Sequence, residues 1–484
     1  MSKLPVVPST WVITELGKVV EYGKTAKVEP NQIEPTAWIL ELEDIEKNTS
    51  KLLAKLRFSD RDSKSTKNQF EVGDILYGKL RPYLNKVLIA DDAGYCSTEI
   101  VPLKPGDYLD NRFLFYWLKH PAFLDYVEAE SHGLNMPRLG TETGRAAPFV
   151  FAPLNEQKRI ADKLDAVLAR VDACRDRLDR IPTILKRFRQ SVLAAAVSGQ
   201  LTQEWRSDNQ DFLQINFLYA LVREERSQRN FRNPSGITEI EVAAIPFEIP
   251  ENWQWVRLGN ISLKITDGAH NTPKVIGSGF PYLMASDLTN GFLDFSVTRF
   301  ISEKEHRELH NKCQPQVGDL LVVNIGAGTG NNVSIDVDFE FSFKNLAIIK
   351  RPSFVHPKYL KFFFDAQKQK IFNEQTRGGA QPFLSLNLLN NLLFALPPID
   401  EQTEIVRRVE SLFAYADRLE ARYNAARAQV EKLTPALLAK AFRGELVPQD
   451  PNDEPASELL VCIAASKTAE QAKTRAGKRQ IKPS

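Results

Sequence analysis

The sequence predicts an α+β protein made by duplication: two mixed α/β globular domains, each followed by a long helical region. Three observations predict it. Pro153-Leu154-Asn155-Glu156-Gln157 returns 245 residues later as Pro398-Ile399-Asp400-Glu401-Gln402. The same spacing carries Ala194-x-Ala196-x-x-Gly199-x-Leu201 onto Ala439-x-Ala441-x-x-Gly444-x-Leu446, and residues 72–76 onto 317–321. Near the starts, Trp11 with Leu16-Gly17 returns 242 residues later as Trp253 with Leu258-Gly259. Solenoid periods run about 20–50 residues, so this is duplication of a domain pair. Two similar surfaces in one chain suit a two-part target or two copies of one partner.

The expected order is a first globular domain (1–151), a helical region (152–202), a connector (203–246), a second globular domain (247–396), a second helical region (397–447) and a C-terminal segment (448–484). In the globular parts, short β-rich runs at 74–76, 86–90, 320–324 and 345–350 are broken by Gly, Pro and Asn. The aromatic runs at 113–118 and 359–364 have helical character and are too apolar to stay exposed. They are read as helices packed on their own sheets.

After each Glu-Gln the pattern changes. Ile160, Leu164, Val167, Val171, Cys174, Leu178 and Ile181 alternate spacings of four and three. Ile405, Val409, Leu412, Ala416, Leu419, Tyr423, Ala426, Val430 and Leu433 keep the same rhythm. This is a heptad seam, which asks for a partner helix. The simplest partner for each seam is the other; two separate surface helices are the alternative. Asn155 and Asp400 are the N-cap candidates, and Gly199 and Gly444 the C-terminal stops. Pro182 should break or kink the first helix and Pro435 the second. The connector and the C-terminal tail show no counterpart in each other. The tail from Ser466 holds six basic residues and one acidic residue, which reads as disorder.

Composition excludes several classes. The chain has 484 residues, 43% hydrophobic and 26% charged, as in ordinary globular proteins. Its net charge of +2 says little about partners, so nucleic-acid binding would need local basic surfaces. Cys96, Cys174, Cys313 and Cys462 are isolated, which fits a reducing cytoplasm better than a zinc or disulfide framework. No run is apolar enough for secretion or membrane insertion.

Little catalytic chemistry is visible. Residues 322–331, with Gly326, Gly328 and Gly330, resemble a turn that holds S-adenosylmethionine. Such a turn should open a helix, yet residues 332–337 read as strand. The sequence also lacks the Asn/Asp-Pro-Pro-aromatic motif of an amino-methyltransferase, so structural or ligand-loop glycines are the reading, with a cofactor loop as the alternative. His306 and His310 lack a third ligand and read as surface residues. What remains are polar, basic loops at matching places. The first domain offers Lys79, Arg81, Asn85 and Lys86, then Asn135 and Arg138. The second offers His270, Asn271 and Lys274, then Asn324 and Asn331, then Gln381. These side-chain types read phosphates and base edges. Composition alone leaves DNA contact and ordinary surface loops both open.

The whole layout resembles the specificity subunit of type I restriction–modification enzymes. The similarity rests on the two Pro-x-x-Glu-Gln helix starts, the helix ends around Gly199 and Gly444, and the domain opening Ile249-Pro250-Glu251-Asn252-Trp253. Asp267-Gly268-Ala269-His270-Asn271-Thr272-Pro273 and Leu76-Tyr77-Gly78-Lys79-Leu80-Arg81-Pro82-Tyr83-Leu84 also resemble loops of its recognition domains. The resemblance implies two target recognition domains separated by two long antiparallel coiled-coil helical regions. Each domain would read one half of a bipartite double-stranded DNA site, and the helices would set the spacer. It implies a non-catalytic chain that binds two modification subunits and, in the full complex, restriction subunits. S-adenosylmethionine, ATP and Mg are then expected on those partners, with no cofactor or metal on this chain. A cofactor-binding enzyme and a scaffold without DNA affinity are the rival readings.

Overall fold

The computed structural model describes residues 4–480 except 62, 134–135, 210, 235, 237–238, 269–272, 290, 327 and 376–382. The chain forms two compact units, Met1–Asp179 with Asn424–Ser484, and Arg180–Tyr423. These cut across the sequence repeats. Each unit holds one globular domain, the start of that domain's own helix, and the end of the other repeat's helix.

In the first domain the opening strand Val12–Glu15 pairs antiparallel with the closing strand Pro148–Phe151. Between them lie a five-stranded sheet, in the order 27–28, 67–70, 94–97, 38–40, 56–57, and a three-stranded sheet around Ile75–Gly78. The aromatic run forms the helix Asn111–Leu118, whose N-cap Asp110 accepts from the amides of Arg112 and Phe113. Phe113, Leu114, Trp117 and Leu118 are fully buried, as an apolar run of this kind requires.

The second domain repeats the plan. Gln254–Arg257 pairs with Leu393–Leu396. A four-stranded sheet runs Lys264–Asp267, Leu346–Lys350, Leu320–Val323, Asn332–Ser334. The aromatic helix here is Pro357–Gln375, burying Tyr359, Leu360, Phe363 and Phe364. A short hairpin, Leu288–Thr289 with Phe292–Leu293, extends this domain.

The helices begin two residues earlier than expected. The first runs Leu154–Leu178 with Pro153 at the N-cap, so Asn155 lies inside the first turn. The second runs Ile399–Ala441, again placing Asp400 inside. Gln157 and Gln402 donate backbone N–H groups to Pro153 and Pro398, at 2.9 Å each, which closes the first turn without a side-chain cap. Pro182 does interrupt the first helix: a new one, Ile181–Val197, starts with it in the first turn, where its missing N–H costs nothing. Pro435 does not interrupt the second, which continues through it to Ala441. The following turn is pinned by buried Leu438, Ala441 and Phe442, so packing outweighs one lost backbone bond.

Within each unit the helices run antiparallel. In the first unit, Ile160 and Leu164 share a core with Leu438, Ala441 and Phe442, while Arg427 pairs with Asp179 further along. In the second, Val192, Leu193 and Ala196 share a core with Ile405 and Val409, while Arg189 reaches Asp417 and Glu420 at 2.7 Å. The seam is therefore tightest beside the globular domains. Ile160, Leu164, Val171, Ile405 and Val409 are buried; Val167, Leu178, Leu412, Leu419 and Tyr423 are half-buried. Cys174 and Leu433, part of the same heptad pattern, are exposed.

The connector and the C-terminal segment are counterparts after all. The connector forms the helix Ile215–Gln228, burying Leu218, Val222 and Arg226. The C-terminal helix Ala456–Gln480 buries Leu459 and Ile463 and half-buries Lys467. Arg226 donates to the carbonyls of Gly259 (2.8 Å) and Ser262 (2.5 Å). Lys467 donates to those of Gly17 (3.1 Å) and Lys18 (2.9 Å). Gly17 and Gly259 are themselves repeat equivalents, so both helices dock in one register. The segment from Ser466 is helical to Gln480 rather than disordered. Arg226, the last residue of the charged run Arg223-Glu224-Glu225-Arg226, is buried among carbonyls.

Candidate nucleic-acid interface

What positions each globular domain is a repeated junction. Glu156 is buried and accepts from the Trp11 indole at 2.8 Å and from the Gln449 amide. Burial pushes its carboxyl above the usual carboxylate range, against the pull of those two donors. Glu401 is buried likewise. It accepts from Trp253 (2.8 Å), Asn252 (3.1 Å), Thr202 (2.7 Å) and Arg206 (2.7 Å). The neighbouring glutamines hold backbone. Gln157 accepts from Asp110 N and donates to the carbonyls of Tyr108 and Ala152. Gln402 accepts from His356 N and donates to those of Phe354 and Pro397. Each Glu-Gln thus fastens a helix start to its domain's opening tryptophan and to the chain just past the other helix's end.

The glycine stops complete the junction. Gly199 and Gly444 have φ of +80° and +71°. A Cβ on Gly199 would collide with Pro250, and one on Gly444 with Pro8. Pro8 and Pro250 are the residues just ahead of the opening tryptophans, so a side chain at either glycine would force the helix end off its domain.

On this support, the first domain brings two of its predicted loops together. Arg81 N donates to Pro137 O at 2.7 Å, and Leu139 N to Lys79 O at 3.0 Å. Lys79, Arg81 and Arg138 thus share one rim, with Arg138 also paired to Glu99 at 3.0 Å. Arg81 adopts a left-handed φ of +50°, uncommon for such a side chain. Two predicted residues turn inward instead. Asn85 is buried in the same turn. Lys86 Nζ donates to Leu42 O at 2.6 Å, which ties the turn to the sheet. Asn135 lies outside the described residues.

In the second domain the glycine run is a hairpin turn. It joins the antiparallel strands Leu320–Val323 and Asn332–Ser334, and opens no helix. Asn324 is buried below it, while Asn331 is half-buried at its edge. Lys274 is exposed, its backbone N–H donating to Glu305 at 3.0 Å. His270, Asn271 and Gln381 lie outside the described residues. His306 is no surface residue. It is fully buried, stacked on Phe280 with centroids 4.0 Å apart, and hydrogen-bonded to Ser342 at 2.9 Å. Burial lowers its pKa, against the pull of Glu340.

Comparison with known proteins decides the family. Residues 8–183 and 250–426 match the family described as type I restriction modification DNA specificity domain. The specificity subunit of the Escherichia coli type I restriction enzyme EcoBI is 33% identical over 386 residues, covering 77% of this chain and 75% of its own. The chain belongs to the type I restriction–modification specificity subunits. The EcoKI specificity subunit of Escherichia coli K12 is 30% identical, covering 78% of this chain and 76% of its own. Among solved structures, the HsdS subunit from Thermoanaerobacter tengcongensis aligns with a TM-score of 0.56 at 19% identity, over 91% of this chain and 98% of its own. A chain from work on assembly and conformational transition of the type I R-M system aligns with a TM-score of 0.66, also at 19% identity, over 91% and 99%. These two likenesses concern the fold.

The two globular parts of this specificity subunit are accordingly DNA-recognition domains, and the helices that follow each of them in the chain are the family's antiparallel coiled-coil regions. None of its described helices is long and apolar enough to cross a membrane. Sequence reasoning missed Arg206, Gln449, Arg226 and Lys467, which fasten the recognition domains to the helices. The signal for the last two was a shared spacing: Leu218, Val222 and Arg226 match Leu459, Ile463 and Lys467, each four residues apart.

Proposed function

We propose that each recognition domain reads one half of a bipartite double-stranded DNA site and that the helical regions set the unspecified spacer. The chain recruits two modification subunits, which carry S-adenosylmethionine and methylate adenine, and restriction subunits with their ATP and Mg. The chain itself is non-catalytic and binds no cofactor. The observation that carries this reading is the duplicated Glu-Gln junction under two recognition domains whose loops differ. Like supports holding unlike loops suit two reading heads. The rim of Lys79, Arg81 and Arg138 supports phosphate and base contact in the first half-site. Exposed Lys274 and the edge residue Asn331 offer the same side-chain chemistry in the second. The modification subunits dock on the helical regions and on the matched segments beside them, 203–245 and 444–460.

The test is assembly of the purified chain with its modification subunit, followed by titration onto duplexes of known sequence. The chain alone should show no methyltransferase, nuclease or ATPase activity, and the assembly should methylate adenine within one bipartite sequence. S-adenosylmethionine binding by the isolated chain, lost on Gly328→Asp, would instead favour a cofactor enzyme.

A further inference from the structure

We propose that Lys368 and Asn331 form the contact pair of the second recognition domain, Lys368 gripping a DNA backbone phosphate and Asn331 meeting a base edge beside it. This rests on the DNA-reading function proposed above. The two residues line a polar cleft of about 430 Å³ between the hairpin tip at Gly291, the turn at Asn331 and Asn332, and the helix Pro357–Gln375. The cleft's charges are nearly all committed. Lys361 is paired with Asp365 at 2.6 Å. Asp365 also accepts from the Asn332 side chain at 2.9 Å, and Asn332 is buried, which holds the carboxylate in place. Lys368 is exposed. Among the described residues it pairs with none, and the Asn331 amide is likewise uncommitted. Among the described residues the cleft therefore offers one free positive charge. That matches a singly charged phosphodiester better than a doubly charged phosphate ester. Gly330, at φ +86°, keeps the backbone bare opposite Lys368: a Cβ there would stand 3.7 Å from the lysine's Cγ. A strand of DNA can then approach without meeting a side chain. An amide at the rim has the donor and acceptor geometry that reads adenine.

The experiment is a salt series of binding titrations with the full chain assembled with its modification subunits. The duplexes are the cognate site, the site altered in either half, and an unrelated sequence. Lys368→Gln should weaken every duplex alike and lower the salt slope by about one, and Lys368→Arg should restore both. Asp365→Asn, by releasing Lys361, should steepen the slope. Asn331→Ala should cost roughly 5- to 150-fold at one base pair of the second half-site and leave the first half untouched. Wild-type affinity, slope and discrimination in both Lys368→Gln and Asn331→Ala would overturn the assignment while the wild-type complex still bound its site. A wild-type complex with no salt-dependent DNA binding would overturn the DNA-reading function itself.

Discussion

At the scale of single residues, the junction carboxylates carry the heaviest consequences. Glu401 is fully buried and holds four donors from two separate segments of its unit. Glu401→Ala would leave the mostly buried guanidinium of Arg206 without its carboxylate, with the Gly199 carbonyl and the Thr202 hydroxyl as its acceptors. Removing one partner of such a pair costs about 3–5 kcal/mol, so chemical denaturation should show a loss of that order. Arg206→Met should cost less, since Glu401 keeps three neutral donors. Equal stabilities in both variants would count against the network. His120 gives a pH prediction. It caps the helix Pro121–Glu130 and stacks on Trp117 with centroids 4.9 Å apart. Burial, aided by Arg443, lowers its pKa from 6.5 to about 4. The unfolded chain then takes up this proton at higher pH than the folded one. This contribution is fully present above pH 6.5 and is lost as pH falls toward 4. His120→Asn keeps a capping side chain and should flatten stability over that window; an unchanged pH profile would show that His120 is not the group responsible.

At the scale of elements, helix ends belong to the opposite repeat's domain. Phe442 follows the second repeat's helix yet packs on Phe113 and Trp117 of the first domain, with centroids at 4.8 and 5.0 Å. Phe442→Ala should therefore cost about 3–5 kcal/mol and destabilise the first unit, visible as lost amide protection in the strand pair Val12–Glu15 and Pro148–Phe151. Leu164→Asp would bury a lone charge in the same core, and retention of full thermal stability would contradict the packing. The sequence made some of this legible. The Glu-Gln pairs, the glycine stops and the short strands could be read because they repeat with no gap at 245 residues. The docking helices could not, because their spacing slips to 241 and only side-chain type survives, as in Arg226 and Lys467. His306 was misread because local rules cannot see the tertiary packing that buries a histidine against Phe280, and the same blindness hid that the second helix runs through Pro435 without a break. Of the candidate contacts, Asn85 and Lys86 share composition with Arg81, but only the fold shows which side of the turn each occupies.

At the scale of the whole molecule, duplication gives two domains on like supports, so each should be replaceable without disturbing the other. Lengthening the helical regions should lengthen the spacer and alter neither half-site. Deleting residues from Ser466 removes Lys467 and its bonds to Gly17 and Lys18. It should lower thermal stability by about 1–2 kcal/mol yet leave two modification subunits bound, as read by mass measurement of the assembled complex. The most direct test of two independent reading heads is to map methylated adenines in cells expressing the modification subunit with either the native chain or one whose residues 247–396 come from another specificity subunit. The account predicts that one half of the recognised sequence changes while the other half and the spacer stay as they were. A chimera that changed both halves, or neither, would contradict it.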